Sequence, residues 1–184
     1  SDGDGRFDTT TVFQAGEKVR TEKDRNGDGK ADLIAYYSGG KVGRQEEDAD
    51  FDGNIDRRSA TSEKGTQVQE ADTNGDGKID TWITTDASGV VIKKEEDRSG
   101  DGKVDISAWF KGGKLERLEQ DSKGKGCIDL RQWFDGSEKA SIEYTDGNGD
   151  CKTDTWSFFQ NGVLVRQGLD TNGDGKPDVL NVFD

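Results

Sequence analysis

The sequence has no histidine and no methionine, one proline, and two cysteines among 184 residues. Without histidine, the usual general base and the commonest nitrogen ligand for transition metals are both missing. A zinc site built on two cysteines would lack partners, and a cysteine nucleophile would lack its base. No isolated acid pair stands out either, so the chain reads as a non-enzyme. Apolar residues make up only 28% and no apolar run is long enough to span a membrane as a helix. Lys and Arg total 26 against 39 Asp and Glu, a formal net charge of −13. An acidic chain with no basic patch argues against nucleic acid as a partner. By composition alone it leans towards disorder, because little apolar area is available to offset chain entropy.

What the sequence does have is a period. Asp72-Thr-Asn-Gly-Asp-Gly-Lys-Ile-Asp80 recurs as nonapeptides starting at Asp24, Asp48, Asp97, Asp121, Asp146 and Asp170, so that successive starts lie 24 or 25 residues apart. A fixed period of this size marks a tandem-repeat architecture, here a single array over 1–184 with partial repeats at both ends. Side-chain oxygens fall at loop positions 1, 3, 5 and 9, with Gly at 4 and 6. A hard dication takes about six to eight oxygen ligands, and the Gly at position 6 permits the sharp turn that brings them together. Position 7 would offer its backbone carbonyl, leaving its side chain free to vary.

The cleanest copies supply Asp24, Asn26, Asp28, Lys30 and Asp32; Asp72, Asn74, Asp76, Lys78 and Asp80; and Asp170, Asn172, Asp174, Lys176 and Asp178. A fourth supplies Asp48, Asp50, Asp52, Asn54 and Asp56, with Phe51 where Gly is usual. In the loop of Asp97, Asp101, Lys103 and Asp105, Ser99 stands at position 3 and acts through its hydroxyl or a water. The loop of Asp146, Asn148, Asp150, Lys152 and Asp154 has Cys151 at position 6. The copy from Asp121 is broken, because Lys123 and Lys125 occupy ligand positions and would put cations where the ion should sit. Asp2, Asp4 and Asp8 match positions 3, 5 and 9 of a further loop whose first Asp would precede the chain.

These nonapeptides resemble the first nine residues of an EF-hand calcium loop, and equally the loops of dockerins and thrombospondin type 3 repeats. The resemblance implies Ca²⁺ rather than Mg²⁺, which keeps more of its water. It fails at position 12, a bidentate Glu in EF-hands, which is here Ala35, Ser59, Ile83, Ala108, Gln132, Ser157 or Asn181. Glu22, Glu46, Glu70 and Glu95 each lie two residues before a loop's first Asp, on the same face of an extended strand. They are either additional ligands or solvated strand residues. About six Ca²⁺ would bring the net charge of −13 close to zero, so the acidity reads as unmet ligand charge.

The segments between loops are rich in β-branched and aromatic residues, with Gly near the middle of each. This predicts strand, tight turn, strand and calcium loop, an all-β antiparallel meander, with a β-solenoid as the alternative. Helices, as in dockerins, would carry a mid-helix Gly at a cost of about 1 kcal/mol. Such hairpins resemble the single-layer sheet of a spirochaetal outer-surface lipoprotein. Phe13, Tyr37, Phe110, Phe134, Phe159 and Phe183 share one repeat position, while Trp82, Trp109, Trp133, Trp156 and Phe158 fall on the opposite face. These rings are read as a thin core, or alternatively as a platform for glycan. The second strand of each hairpin alternates cations and anions, which suits a wetted strand with cross-strand charge pairs. In one hairpin Arg57-Arg58-Ser59-Ala60-Thr61 replaces the apolar first strand, so that hairpin should be the least stable.

Cys127 and Cys151 lie in adjacent loops at positions 7 and 6, so a disulfide between neighbouring loops is expected where one ion site is lost. A disulfide beside calcium loops suits an extracellular or cell-surface protein. The chain stops after a first strand whose hairpin partner is missing, which suggests either a segment of a longer array or self-association through strand edges. The functional expectation is a calcium-rigidified structural repeat, such as a spacer, adhesin stalk or filament subunit. The alternative is a carbohydrate- or surface-binding module using exposed tryptophans.

Overall fold

The computed structural model describes residue 5 and residues 7–183; Asp2 and Asp4 lie outside the described residues. The chain divides into two compact units, 1–90 and 91–184. The first contains β1 (Thr9–Gln14), β2 (Glu17–Lys23), β3 (Leu33–Ser38), β4 (Lys41–Glu47), β5 (Arg57–Thr61), β6 (Gln67–Ala71) and β7 (Thr81–Thr85). The second contains β8 (Val91–Glu96), β9 (Ile106–Lys111), β10 (Lys114–Gln120), β11 (Leu130–Phe134), β12 (Ala140–Thr145), β13 (Thr155–Gln160), β14 (Val163–Leu169) and β15 (Val179–Val182). Within each unit every strand pairs antiparallel with its sequence neighbours. This is the all-β meander, and the solenoid alternative does not form.

Hairpin turns occupy one edge of each unit and the Asp-rich loops the other. Asn161-Gly162 shows why the turns are tight: both residues have positive φ, 55° and 82°, the conformation a two-residue hairpin turn with matching twist requires. The longer turn over Asp135–Lys139 is held differently, by the Asp135 carboxylate accepting from the N–H groups of Ser137 at 2.8 Å and Lys139 at 3.1 Å. Lysines also run from turn to turn, Lys114 Nζ donating to the Gly136 carbonyl at 2.6 Å.

Burial is inverted relative to an ordinary domain. The buried apolar residues are Ala35 and Ala108, whereas Asp32, Asp48, Asp80, Asp97, Asp105, Asp121, Asp129 and Asp146 are all buried. Each unit is a single sheet layer, so no second layer covers the rings, and Trp82, Trp109, Trp133, Trp156 and Phe158 are half-buried. Register sets Trp109 and Trp133 on either side of Arg117. The guanidinium lies over both, 4.6 and 5.5 Å from the ring centroids, and Lys93 Nζ lies 5.3 Å from Trp109 on its other side. Trp133 meets Tyr144 edge-on at 5.1 Å. Alternating cations and rings thus supply lateral contacts that a core would otherwise make.

The charged strands pair mainly along themselves rather than across. Arg20 reaches Glu22 at 2.9 Å, Lys93 reaches Glu95 at 2.7 Å, and Arg44 and Arg117 pair with Glu46 and Glu119 in the same way. Residues two apart share a face, and the same-face aromatics fix the cation's stem beside its carboxylate. Cross-strand pairs are longer: Arg58 in β5 sits between Glu46 at 3.8 Å and Glu70 at 3.7 Å, and Arg131 in β11 reaches Glu119 in β10 at 3.5 Å.

Candidate metal centres

Each loop begins where its first Asp leaves the strand and curls back over its own amides. Asp24 accepts from Gly27 N–H at 2.7 Å and Gly29 N–H at 2.8 Å, the amides of positions 4 and 6. Asp72, Asp97 and Asp170 accept from the same two positions, as do Asp48 and Asp146 with Phe51 and Cys151 as non-glycine donors. The curl needs φ near +79° at Gly27 and +91° at Gly29. Phe51 and Cys151 adopt φ of 68° and 70° at equivalent places, a conformation that side chains disfavour.

The ninth residue closes the ring. Asp32 Oδ2 accepts from Arg25 N–H at 2.6 Å and Asn26 N–H at 3.2 Å, and Asp56, Asp80, Asp105, Asp154 and Asp178 repeat this at positions 2 and 3. Position 3 accepts from the amide of position 5 at Asn26, Asp50, Asn74, Asn148 and Asn172. Position 5 accepts from the amide of position 7 at Asp28, Asp52, Asp76, Asp101, Asp150 and Asp174. Those position-7 donors are Lys30, Asn54, Lys78, Lys103, Lys152 and Lys176. Ser99 instead turns its hydroxyl to Asp97 Oδ1 at 3.3 Å.

Three loops bring carboxylate oxygens within 4.8 Å of one another: Asp24, Asp28 and Asp32; Asp48, Asp50 and Asp56; and Asp146, Asp150 and Asp154. These clusters could hold a metal ion. Their donors are all hard oxygens, and a carboxylate has about four lone-pair sites, so two N–H bonds leave acceptor capacity. Burial pushes the Asp97 carboxyl up, but N–H donors from Gly102 and Gly100 and the Ser99 hydroxyl outweigh it and hold the group below the usual range. Burial is likewise overcome by amide donors at Asp121, Asp146 and Asp170. Asp97, Asp121, Asp146 and Asp170 are thereby held towards the charged form, as a cation site requires.

Glu22, Glu46 and Glu70 in the first unit and Glu95 in the second are engaged by cations of their own sheets: Arg20, then Arg44 and Arg58, then Arg58, and Lys93. Glu46 also accepts from the Tyr36 hydroxyl at 3.1 Å. Asp8 is tied to the first loop by its carbonyl, which accepts from Asp24 N–H at 2.9 Å. That link repeats: Asp48 donates to Asp32, Asp72 to Asp56, Asp121 to Asp105, Asp146 to Asp129 and Asp170 to Asp154. Asp129, not singled out from the sequence, is thus a buried ninth-position residue of the broken loop, legible only from its spacing of eight from Asp121.

In that loop Asp121 still accepts from Gly126 N–H at 2.5 Å and Asp129 from the Ser122 hydroxyl at 2.7 Å. Lys123 and Lys125, however, leave their own loop and reach the next. Lys123 Nζ donates to the carbonyls of Asp146 at 3.0 Å and Gly147 at 2.9 Å, and Lys125 Nζ to Gly149 at 3.0 Å. Cys127 and Cys151 form the expected disulfide, with Cα atoms 5.6 Å apart.

No family model matches the chain. No curated protein matches it either. Among solved structures, a mutant of S. aureus TarM in complex with fondaparinux, α-GlcNAc-glycerol and UDP aligns over 62% of this chain and 21% of its own, at 15% identity and a TM-score of 0.45. A GtfA/B complex aligns over 68% of this chain and 19% of its own, at 8% identity and a TM-score of 0.27. The chain thus spans about a fifth of the length of each.

Proposed function

We propose that the protein is a calcium-binding structural repeat, in which an ion in each intact loop fixes the link between successive hairpins of a spacer, stalk or surface filament. The observation that carries this is the convergence of Asp carboxylates within 4.8 Å in three separate repeats, from positions 1, 5 and 9 in two loops and from 1, 3 and 9 in the loop of Asp48. It occurs in sheets whose buried apolar residues are two alanines. An ion that binds only the folded loop adds about 2.7 kcal/mol per site when free at about 100 times its Kd. Calcium titration by calorimetry, with about six ions per chain expected from the intact loops, tests the stoichiometry. A melting temperature that is the same in calcium and in EGTA overturns the reading.

The paired cysteines and the calcium loops together support an extracellular or cell-surface setting. Among the described residues no helix is long and apolar enough to cross a membrane. Self-association through strand edges remains part of the proposal for a filament. A glycan-binding role for the tryptophans has less support, because cations already cover the ring faces of Trp109 and Trp133.

A further inference from the structure

In four pairs of neighbouring loops, two in each unit, the side chain at position 7 of one loop lies against position 6 of the next. A Cβ placed on Gly53 would lie 3.4 Å from Lys30 Nζ, one on Gly77 3.4 Å from Asn54 Nδ2, one on Gly126 3.6 Å from Lys103 Nζ, and one on Gly175 3.6 Å from Lys152 Cδ. Lys152 continues onto the Gly173 carbonyl at 2.7 Å. The side chain of position 7 is therefore a strut lying across the neighbouring loop rather than a freely variable surface group. Cys127 and Cys151 occupy this same pair of positions, so the disulfide is a covalent version of the strut. It is reinforced from the same side by the two ammonium groups of Lys123 and Lys125 on three carbonyls of loop 146–154.

We infer that loops 121–129 and 146–154 form a permanent joint whose order does not depend on calcium, set in an array whose other joints do. The contrast with the other joints rests on the calcium reading above; the joint itself does not. Lysine charge and a covalent bond do at this place what a dication would do between intact loops. The direction is fixed, since the lysines belong to the loop without oxygens at positions 3 and 5 and act on the following one. Removal of calcium therefore loosens the loop edge of the first unit while this part of the second unit stays closed. Reduction makes the joint behave like the rest. A dithiol supplies two electrons and two protons, leaves Cys127 and Cys151 as thiols and closes to its own cyclic disulfide.

Hydrogen exchange of matched loop amides reads this directly. Asp129, Asp146 and Asp154 donate to Gln120, Asp129 and Thr145, just as Asp32, Asp48 and Asp56 donate to Lys23, Asp32 and Glu47. In the oxidised chain, EGTA should accelerate exchange at the second trio about tenfold or more and at Asp129 and Asp146 by less than about twofold. Reduction in EGTA should then accelerate Asp129 and Asp146 by up to about 300-fold, the scale of a cross-link closing a loop of this length. K123Q/K125Q with the disulfide intact should show an intermediate acceleration at Asp146, and N54C/G77C should transplant the chelator resistance to Asp56 and Asp72. Equal acceleration of both trios by EGTA in the oxidised chain overturns the joint. If EGTA moves neither trio, the calcium reading fails instead. The joint is then judged by reduction and by K123Q/K125Q alone, and unchanged exchange at Asp146 in both overturns it.

Discussion

The amide of Asp48 donates to the carbonyl of Asp32 at 2.8 Å, so the last acid of one loop and the first of the next are rungs of one ladder. Both carboxylates are buried. Each is satisfied by amides of its own loop. Positions 1 and 9 consequently fix the loop backbone from buried sites and would also offer oxygen to an ion on the proposed reading, whereas exposed position 5 holds the single amide of position 7.

That division separates two substitutions in one loop. Asp32→Ala removes the acceptor of two amides at a buried site and should destabilise the chain by about 2 kcal/mol even in chelator. Asp28→Ala should cost less than about 1 kcal/mol in chelator, since its partner amide is exposed to water. Both should remove the same ion from the calcium stoichiometry. Urea melts in EGTA alongside calcium titrations check the pair.

Glu46→Gln should leave the number of bound ions unchanged and lower stability by about 1 kcal/mol, through its weakened contacts with Arg44, Arg58 and Tyr36. A lost ion in titration of this variant would make the strand glutamates ligands after all.

Phe51→Gly should raise stability by about 1 kcal/mol. The residue is 42% exposed, so its ring contributes little burial, while its backbone holds φ at 68°, a conformation Gly adopts without strain. Thermal melts with and without calcium measure it.

The turn acids contribute to the acid limb alongside the loop carboxylates. The Ser88 hydroxyl, the Val90 amide and the amides of Ser88 and Gly89 hold the Asp86 carboxyl below its ordinary value, and amides of Lys139 and Ser137 do the same at Asp135. A depressed folded-state value means stabilisation that is full above the unfolded value of about 3.9 and is lost as pH falls through the lower folded one. In EGTA, Asp86→Asn should flatten that acid limb while leaving the slope between about pH 5 and 7 unaltered. Melting curves across this range would show it.

The loops and hairpins were legible because both are local: acids at alternate positions and Gly-centred turns specify a curl and a reversal within a few residues. The opposite edges followed from alternation of the two. What the sequence did not disclose lies about one repeat away. Lys123 reads as an obstruction in its own loop until strand register carries it onto Asp146 and Gly147. Glu46 shares the loop's face, but Arg58 across the sheet and Arg44 along the strand compete for it. The expected aromatic core became a row of half-buried rings sandwiched by Arg117 and Lys93, because a single layer has nothing to bury them against.

Burial of aspartates in place of aliphatic side chains also sets how the protein responds to temperature. Unfolding single-layer sheets in which Ala35 and Ala108 are the fully buried apolar residues among those described, and the large rings only half-buried, wets less hydrocarbon than unfolding a two-layer domain. The heat-capacity increment should therefore fall well below the usual value of about 12–15 cal/mol/K per residue, and the stability curve should be shallow. Such a chain would lose little of its strength on cooling, with any steep dependence coming from the ions rather than from water around apolar groups.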